Sequence, residues 1–329
     1  MTSLTRHTLE NSRGITYTYY TAPAAQNKPT LLLLHGYPDC AAEWNDLADT
    51  HLVPAGYGVV APDLLGYAGT SKPTDPAAYK WGLMVTDIKE ILDVEKISKV
   101  VVLGHDWGSY FAQKVYNLAP ERTEGLALIN VAYSAPSNKP FDLDGYLALT
   151  TKAFGYGVFW YWKLFTHPDG AKIVQQHLNS NFDALHVPGE GWVDLMCQPD
   201  GLKDFLERDG RAEVQSYATE EMRKAWVERM EKDGMEAPFC WYKAQAFGHQ
   251  DGEANEENAV VNVPTLFVGF DKDFVCRPEL IGLSEQKGLL PKLTKVQLEG
   301  SHWGLLDKKK EFGEAVVGWL ERTYSAPKL

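Results

Sequence analysis

Closely spaced cysteines are missing from this chain. Its four cysteines, Cys40, Cys197, Cys240 and Cys276, are scattered and form no C-x-x-C pair. Disulfide frameworks and zinc centres built on cysteine both need paired or regularly spaced cysteines. The pattern therefore predicts reduced thiols in an intracellular protein, with neither a disulfide framework nor a zinc site.

Positive charge is also in short supply. The chain has 32 Lys and Arg against 44 Asp and Glu, which gives a formal net charge of −12. A protein of this charge is repelled by the phosphates of nucleic acids and by anionic lipids. Neither nucleic acid nor a membrane surface is therefore expected as a partner.

Targeting segments are weak or absent at both ends of the sequence. Residues 1–7 contain no apolar core of the kind that a signal peptide has. The final Pro327-Lys328-Leu329 resembles the peroxisomal signal Ser-Lys-Leu, but proline stands in its first position. We expect a cytoplasmic protein, with a peroxisomal location as the alternative.

Long hydrophobic runs are represented by one segment only, residues 147–165. Lys152, Lys163 and glycines interrupt it, whereas a membrane-spanning helix needs about 20 predominantly apolar residues. A helical, pocket-lining region is the preferred interpretation, without stable membrane insertion. Aromatic residues are abundant, at 12% with ten Trp, which is typical of a site for apolar ligands.

Short apolar runs alternate with helical patterns at both ends of the chain. Helices are predicted near residues 84–94, 109–116 and 306–324. The predicted strands lie at 15–21, 30–34, 58–63, 99–103, 126–130, 265–269 and 295–298. The first is expected to be antiparallel and at the sheet edge. This alternation predicts an α/β fold with a doubly wound, mostly parallel sheet.

The middle of the chain has helical patterns and no convincing strand. One helix is predicted to begin after Thr219 as its N-cap and to end at Gly234. We therefore predict a core formed by residues 1–133 and 251–329, with residues 134–250 inserted as a helical cap or lid.

The sequence Gly104-His105-Asp106-Trp107-Gly108 lies between a buried strand and a helix. This is the pattern of a nucleophile elbow, a sharp turn that exposes one side chain at its apex. The apex usually carries serine, and here it carries Asp106. The competing interpretation is that Asp106 only caps the helix that follows.

Two further polar residues follow later predicted strands. Asp273 comes after the strand at 265–269, and His302 follows the strand at 295–298. Ligands bind at the carboxyl ends of strands in open parallel sheets, and the order nucleophile, acid, histidine is that of the α/β-hydrolase triad. Taken singly, Asp273 could cap a turn and His302 could be a surface histidine, but their order favours a triad with Asp106.

A carboxylate nucleophile suits attack on a saturated carbon. Asp106 is ionised at neutral pH and needs no base to attack, so it would form an alkyl ester of the protein. His302, oriented by Asp273, would then take a proton from the water that attacks this ester. The backbone N–H groups of Tyr37 and Trp107 are expected to form the oxyanion hole.

At these residues the chain resembles the soluble epoxide hydrolases of the α/β-hydrolase superfamily, over about residues 15–320. His35-Gly36-Tyr37-Pro38 is similar to their H-G-x-P motif, and the segments around Asp106, Asp273 and His302 resemble their three triad motifs. The resemblance implies an α/β-hydrolase fold with a helical cap and no metal or organic cofactor. It also implies a small apolar epoxide as substrate, which water converts to a vicinal diol.

The family places two tyrosines on the cap, opposite the nucleophile. Phe239-Cys240-Trp241-Tyr242 resembles the second motif and implies Tyr242, while Tyr161 matches the first, with Tyr156 nearby as the alternative. The substrate pocket is expected to be lined by His35, Pro38, His105, Phe159, Trp160, Trp241 and Trp303. The chain departs from the family at Leu65, where arginine is common, and at Ala68, where glycine is.

Two other functions compete with epoxide hydrolysis. A haloalkane dehalogenase has a similar elbow, but it typically carries asparagine after His-Gly, where this chain has Tyr37. A catalytically silent ligand-binding protein would need neither the triad nor the two tyrosines. The sequence leaves open whether the epoxide is a fatty-acid or an aryl epoxide, and whether the protein is a monomer or a homodimer.

Overall fold

The computed structural model describes residues 3–324. Eight strands form one sheet in the order β1-β2-β4-β3-β5-β6-β7-β8. Their bounds are β1 Thr5–Glu10, β2 Thr16–Ala22, β3 Thr30–Leu34, β4 Gly58–Pro62, β5 Val100–His105, β6 Thr123–Ile129, β7 Thr265–Phe270 and β8 Leu293–Leu298. Strands β3 to β8 pair in parallel, whereas β1 and β2 are antiparallel to their neighbours. The predicted doubly wound, mostly parallel sheet is confirmed.

The strand that was predicted at the sheet edge lies one position inside it. The segment predicted at 15–21 forms β2, which is antiparallel as expected, but β1 pairs outside it and is the edge. β1 has the sequence TRHTLE with mostly exposed or half-exposed side chains. Polar residues are common on edge strands because such strands must avoid pairing with other chains. β1 therefore has no hydrophobic pattern from which it could be predicted.

The two central strands supply side chains to both faces of the sheet. Leu32 and Leu34 of β3 belong to one hydrophobic core, and Leu31 and Leu33 belong to the other. Side chains alternate between faces along a strand, so these uninterrupted apolar runs indicate helices on both faces. The helices outside the central segment are α1 Trp81–Val94, α2 Trp107–Leu118, α11 Ile281–Gln286, α12 Gly304–Asp307 and α13 Lys309–Tyr324.

Eight α-helices, one short 3-10 helix and no strand lie between β6 and β7, in a segment that the structure describes throughout. The α-helices are α3 Leu143–Phe154, α4 Tyr161–Thr166, α5 Gly170–Gln176, α6 Leu178–His186, α7 Gly191–Met196, α8 Gly201–Glu207, α9 Glu220–Asp233 and α10 Glu236–Ala246. The predicted N-cap of α9 is present, because the Thr219 hydroxyl accepts a hydrogen bond from the Met222 N–H at 3.2 Å. The bounds 134 and 250 for a cap remain a prediction.

The apolar segment at 147–165 is divided between α3 and α4. Among residues 3–324, no helix is both long enough and apolar enough to cross a membrane. The C-terminal Pro327-Lys328-Leu329, considered as a peroxisomal signal, lies outside the described residues.

Candidate active site

Asp106 occupies the turn between the central strand β5 and helix α2. Its backbone has φ 53° and ψ −124°, a conformation that residues other than glycine seldom adopt. The chain passes very close to itself here. A Cβ atom on Gly108 would overlap the Leu34 carbonyl, and one on Gly36 would overlap the Asp106 side chain. The glycines flanking Asp106 and preceding Tyr37 therefore let the turn form.

The loops after β5, β7 and β8 bring the three predicted triad residues together. His302 Nδ1 lies 2.8 Å from Asp273 Oδ2, and His302 Nε2 lies 3.5 Å from Asp106 Oδ2. Asp273 and His302 are only 1% and 4% exposed. The imidazole therefore stands between two carboxylates in a buried environment.

These contacts shift the pKa values of all three groups. Burial alone would lower the pKa of His302, but the Asp273 charge and the hydrogen bonds to Asp106 and Asp273 raise it well above its ordinary value. Burial alone would raise the pKa of Asp273, but the His302 charge and hydrogen bonds from His302 and Asn130 hold it at about 2. The pKa of Asp106 is likewise lowered, because hydrogen bonding and charge from His302 outweigh burial. The resting site thus favours two carboxylates around one imidazolium.

The sequence analysis did not identify Asn130, which supports the acid and the histidine together. Its amide nitrogen donates to Asp273 Oδ2 at 2.6 Å and to the His302 backbone oxygen at 3.0 Å. Asn130 directly follows β6 with φ 67°. Its position at the carboxyl end of a buried strand was the available signal, because the predicted site residues share that position.

A backbone N–H group binds the Asp106 carboxylate. The Tyr37 N–H donates to Oδ1 at 2.8 Å, and the Trp107 N–H helps to lower the pKa of this carboxyl. The two carboxylate oxygens are therefore in different environments, since Oδ1 is held by Tyr37 and Oδ2 faces His302.

Arg229 of α9 is a further residue that the sequence did not indicate. Its guanidinium donates to the carbonyl oxygens of Pro38 at 2.8 Å and Asp39 at 3.1 Å.

The two predicted tyrosines meet above the elbow. Tyr161 begins α4 and Tyr242 lies in α10, with their ring centroids 6.0 Å apart. Tyr242 also packs edge-on against Trp107 at 5.1 Å. Burial raises the pKa of both phenols, and the Asp106 charge contributes to each, so both remain protonated donors. The alternative, Tyr156, donates its hydroxyl to the Phe274 carbonyl at 3.0 Å instead.

Aromatic rings surround this arrangement. Trp162 stacks on Phe159 at 4.7 Å and packs against Trp107 at 5.3 Å. Trp192 stacks on His302 at 5.2 Å, a contact that sequence patterns did not reveal. His302 also packs edge-on against Trp303 at 4.9 Å, and Trp303 contacts Trp192 at 5.8 Å.

The other two aromatic residues predicted for the pocket are Trp160 and Trp241. Trp160 and Tyr161 line a separate cavity of about 370 Å³ that faces α5 and α8. Trp241 is 1% exposed and donates its indole N–H to the Leu65 carbonyl. This bond places Trp241 against the loop where the chain departs from the family pattern.

The two histidines predicted for the pocket have both ring nitrogens bound within the protein. His35 Nε2 accepts from the Leu64 N–H, and its Nδ1 contacts the Gly36 carbonyl, both at 2.9 Å. His105 contacts the buried Glu43 carboxylate at 2.6 Å and the His302 carbonyl at 3.0 Å. Neither ring has a nitrogen free to bind a substrate, and both support the loops that carry the site instead.

A family model for the alpha/beta hydrolase fold matches residues 29–309. The chain belongs to the alpha/beta hydrolase fold family. The predicted fold class is thereby confirmed.

Relatives of this alpha/beta hydrolase carry epoxide hydrolase names. It is 26% identical over 300 residues to "Bifunctional epoxide hydrolase 2" of Sus scrofa, covering 89% of this chain and 51% of the relative. It is also 26% identical to "Epoxide hydrolase srdG" of Neurospora crassa, covering 94% and 93%. The chain thus spans about half the length of the pig relative and nearly all of the fungal one.

The fold is also similar to solved structures. The crystal structure of Epoxide Hydrolase A from Mycobacterium thermoresistibile superposes with a TM-score of 0.79, covering 97% of this chain and 98% of the other, at 22% identity. Epoxide hydrolase VrEH1 from Vigna radiata also gives 0.79, at 21% identity and with 98% and 99% covered. At this level of identity the likeness concerns the fold.

Proposed function

We propose that this alpha/beta hydrolase adds water to a small apolar epoxide to give a vicinal diol, through an alkyl ester on Asp106. The observation that carries the proposal is the orientation of the Asp106 carboxylate. One oxygen is held by the Tyr37 N–H and the other faces His302. The names of the relatives support the same substrate class.

In the first half-reaction, Asp106 Oδ2 attacks a ring carbon of the epoxide. The carbon–oxygen bond of the ring breaks, and its electron pair passes to the epoxide oxygen. Tyr161 and Tyr242 donate to this developing alkoxide, and one of them gives it a proton. The products of this step are an aspartyl ester and the first hydroxyl group of the diol.

In the second half-reaction, His302 Nε2 removes a proton from water, whose oxygen attacks the ester carbonyl carbon. Before this step, ester formation has neutralised Asp106 and so removed one of the two charges that favour protonated His302. The imidazolium of the resting site therefore releases its proton to solvent, the phenolate left by ring opening takes one up from solvent, and Nε2 gains the lone pair that accepts the proton of water. The oxyanion develops on Oδ1, where the Tyr37 N–H already lies 2.8 Å away. Collapse breaks the bond between Cγ and Oδ2, which takes the proton from His302 and leaves as the second hydroxyl of the diol, and the regenerated Asp106 carboxyl gives its proton to His302.

This mechanism predicts an unusual fate for the water oxygen. The oxygen of water enters the Asp106 carboxylate, and the second diol oxygen comes from the previous carboxylate. A single turnover in H₂¹⁸O, with enzyme in excess, should therefore label the peptide containing Asp106 and leave the diol unlabelled. Label in the diol after one turnover would contradict the ester and favour direct attack of water. Asp106→Asn should give neither adduct nor diol.

The proposal extends to the domain organisation, the substrate class, the cellular location and the oligomeric state. Residues 134–250 act as a cap that supplies Tyr161 and Tyr242, and the remainder forms the core. The abundance of rings around Asp106 supports an apolar substrate. We propose a cytoplasmic location, which cell fractionation would test. We also propose a monomer or homodimer, which sedimentation would test.

A further inference from the structure

A cysteine stands beside the histidine and the acid of the proposed triad. One ligand atom from each of Asp273, Cys276 and His302 lies within 4.8 Å of the other two. Within residues 3–324, no other group of His, Cys, Asp or Glu side chains meets this criterion. Asp273 and His302 are buried, and Cys276 is partly buried. Cys276 takes no part in the two half-reactions described above.

The chemistry of this group suits a soft divalent cation. Thiolate, imidazole and carboxylate are the usual ligands of Zn²⁺, which binds them tetrahedrally at about 2.0–2.3 Å. Ligand atoms around such an ion are separated by roughly 3.3–3.6 Å, within the 4.8 Å bound of this group. His302 Nδ1 and Asp273 Oδ2 are 2.8 Å apart, so an ion between them would replace their hydrogen bond. Burial and the Asp273 charge raise the pKa of the Cys276 thiol to about 12, so the metal-free sulfur keeps its proton.

We propose that Asp273, Cys276 and His302 form an inhibitory site for a soft divalent cation such as Zn²⁺, which blocks ester hydrolysis and spares ring opening. The spacing of the cysteines did not predict it, because its ligands come from the separate loops after β7 and β8. The binding is independent of the proposed function, whereas the selective inhibition rests on it.

Metal binding would change the protonation of Cys276 and His302, and this change decides which half-reaction is blocked. On binding, Cys276 and the His302 imidazolium each release one proton to solvent, and the metal accepts electron pairs from sulfur, a carboxylate oxygen and one imidazole nitrogen. The nitrogen of His302 that faces Asp273 is Nδ1, 2.8 Å from Oδ2, so this nitrogen is the ligand. A metal on Nδ1 leaves the proton on Nε2, so no lone pair is available there to take a proton from water. Asp106 is not among the ligands and keeps its free oxygen.

Cobalt binding tests the site without any substrate. Co²⁺ added to the full-length protein should produce the near-ultraviolet charge-transfer absorption of a cobalt thiolate. Cys276→Ser should lose this band, whereas Cys40→Ser, which changes a partly buried cysteine outside the group, should keep it. Titration with Zn²⁺ should displace Co²⁺ from wild type, and Cys276→Ser should bind Zn²⁺ about 10- to 100-fold more weakly or worse. Equal Zn²⁺ affinity in the two proteins would overturn the site.

Intact-protein mass spectrometry tests the selective inhibition. Wild type incubated with Zn²⁺ and excess epoxide should become heavier by one substrate mass, and a chelator should then release diol. Cys276→Ser should resist Zn²⁺ relative to its own metal-free rate. If Zn²⁺ prevents the adduct from forming, the metal also blocks ring opening and the selective inhibition is wrong. If metal-free wild type forms neither adduct nor diol, the proposed function fails, and the cobalt spectrum still decides the metal site.

Discussion

The Asn130 amide nitrogen lies 2.6 Å from the Asp273 carboxylate, on the same Oδ2 atom that holds His302. Asn130 also donates to the His302 backbone oxygen, so one side chain fixes the acid and the histidine relative to each other. A hydrogen bond to a charged group contributes about 1.5–3 kcal/mol. Asn130 is therefore expected to position the base of the hydrolytic step.

Asn130→Gly should slow ester hydrolysis selectively. Glycine tolerates the positive φ at this position, so the substitution removes the amide without adding backbone strain. We expect about a tenfold or greater fall in the hydrolysis rate, since 1.4 kcal/mol corresponds to tenfold. The rate of ring opening, measured by rapid quench, should stay near that of wild type. An equal fall in both rates would point to general disruption of the site instead.

The two tyrosines give a second prediction. Loss of one transition-state donor typically costs about 10²–10³ in rate. Tyr161→Phe and Tyr242→Phe should therefore each slow adduct formation by about that factor, and the double variant should nearly abolish it. Tyr156→Phe is the matched control, because its hydroxyl already donates to Phe274. If Tyr156→Phe slows ring opening and Tyr161→Phe does not, the roles of these two residues are exchanged.

Much of this site follows from local sequence. The apolar run at 30–34 coincides with β3, and the sharp turn after β5 is encoded by Gly104 and Gly108, where a Cβ atom would meet backbone. Positions at strand ends then indicate Asp106, Asp273 and His302, since parallel strands deliver their carboxyl ends to one edge of the sheet. Tyr161 and Tyr242 came from the family resemblance alone.

What local sequence could not predict depends on long-range contacts. Glu43 meets His105 across 62 residues, and Trp192 stacks on His302 across the segment from α7 to β8. A buried glutamate or a single tryptophan has no distinctive spacing. β1 was not predicted for a local reason. Its residues are polar and exposed, as is common on an edge strand, so they form no hydrophobic pattern.

His302→Gln should separate the two half-reactions. Asp106 is ionised in the resting site, so ring opening does not require His302 as a base, whereas hydrolysis of the ester does. Excess epoxide should leave the variant heavier by one substrate mass, with the label on the peptide containing Asp106. Asp273→Asn should accumulate the same adduct more weakly. An unmodified His302→Gln protein after long incubation would contradict the alkyl ester, because a histidine-dependent nucleophile needs its base before any covalent bond forms.

The last prediction concerns a buried carboxylate far from the site. Asp87 of α1 has a fully buried side chain and accepts hydrogen bonds from Asn11, Arg13 and Tyr17 at 2.6, 2.6 and 2.9 Å. Burial raises its pKa to about 6, although the Arg13 charge and the hydrogen bonds oppose this. Removing a partner from a buried ion pair leaves an uncompensated charge, which typically costs about 3–5 kcal/mol. The Arg13 side chain is 19% exposed, so we expect about 2–3 kcal/mol for Arg13→Met at pH 8.

This destabilisation should shrink as the pH falls, and the sign follows from proton linkage. The pKa of Asp87 is higher in the folded protein than in the unfolded chain, so the folded state binds more protons between the two values. Without Arg13 the folded pKa rises further, and near pH 5 the Asp87 carboxyl of the variant is neutral. Urea unfolding from pH 5 to 8 should show the free-energy difference between Arg13→Met and wild type increasing with pH. Lys89→Met is the control on the same helix, because Lys89 pairs with Glu121 at 3.8 Å near the surface and such pairs contribute about 0–1 kcal/mol. The free-energy difference for Arg13→Met could instead prove as independent of pH as that for Lys89→Met. Asp87 would then keep its charge in the folded protein without Arg13, and the prediction would be wrong.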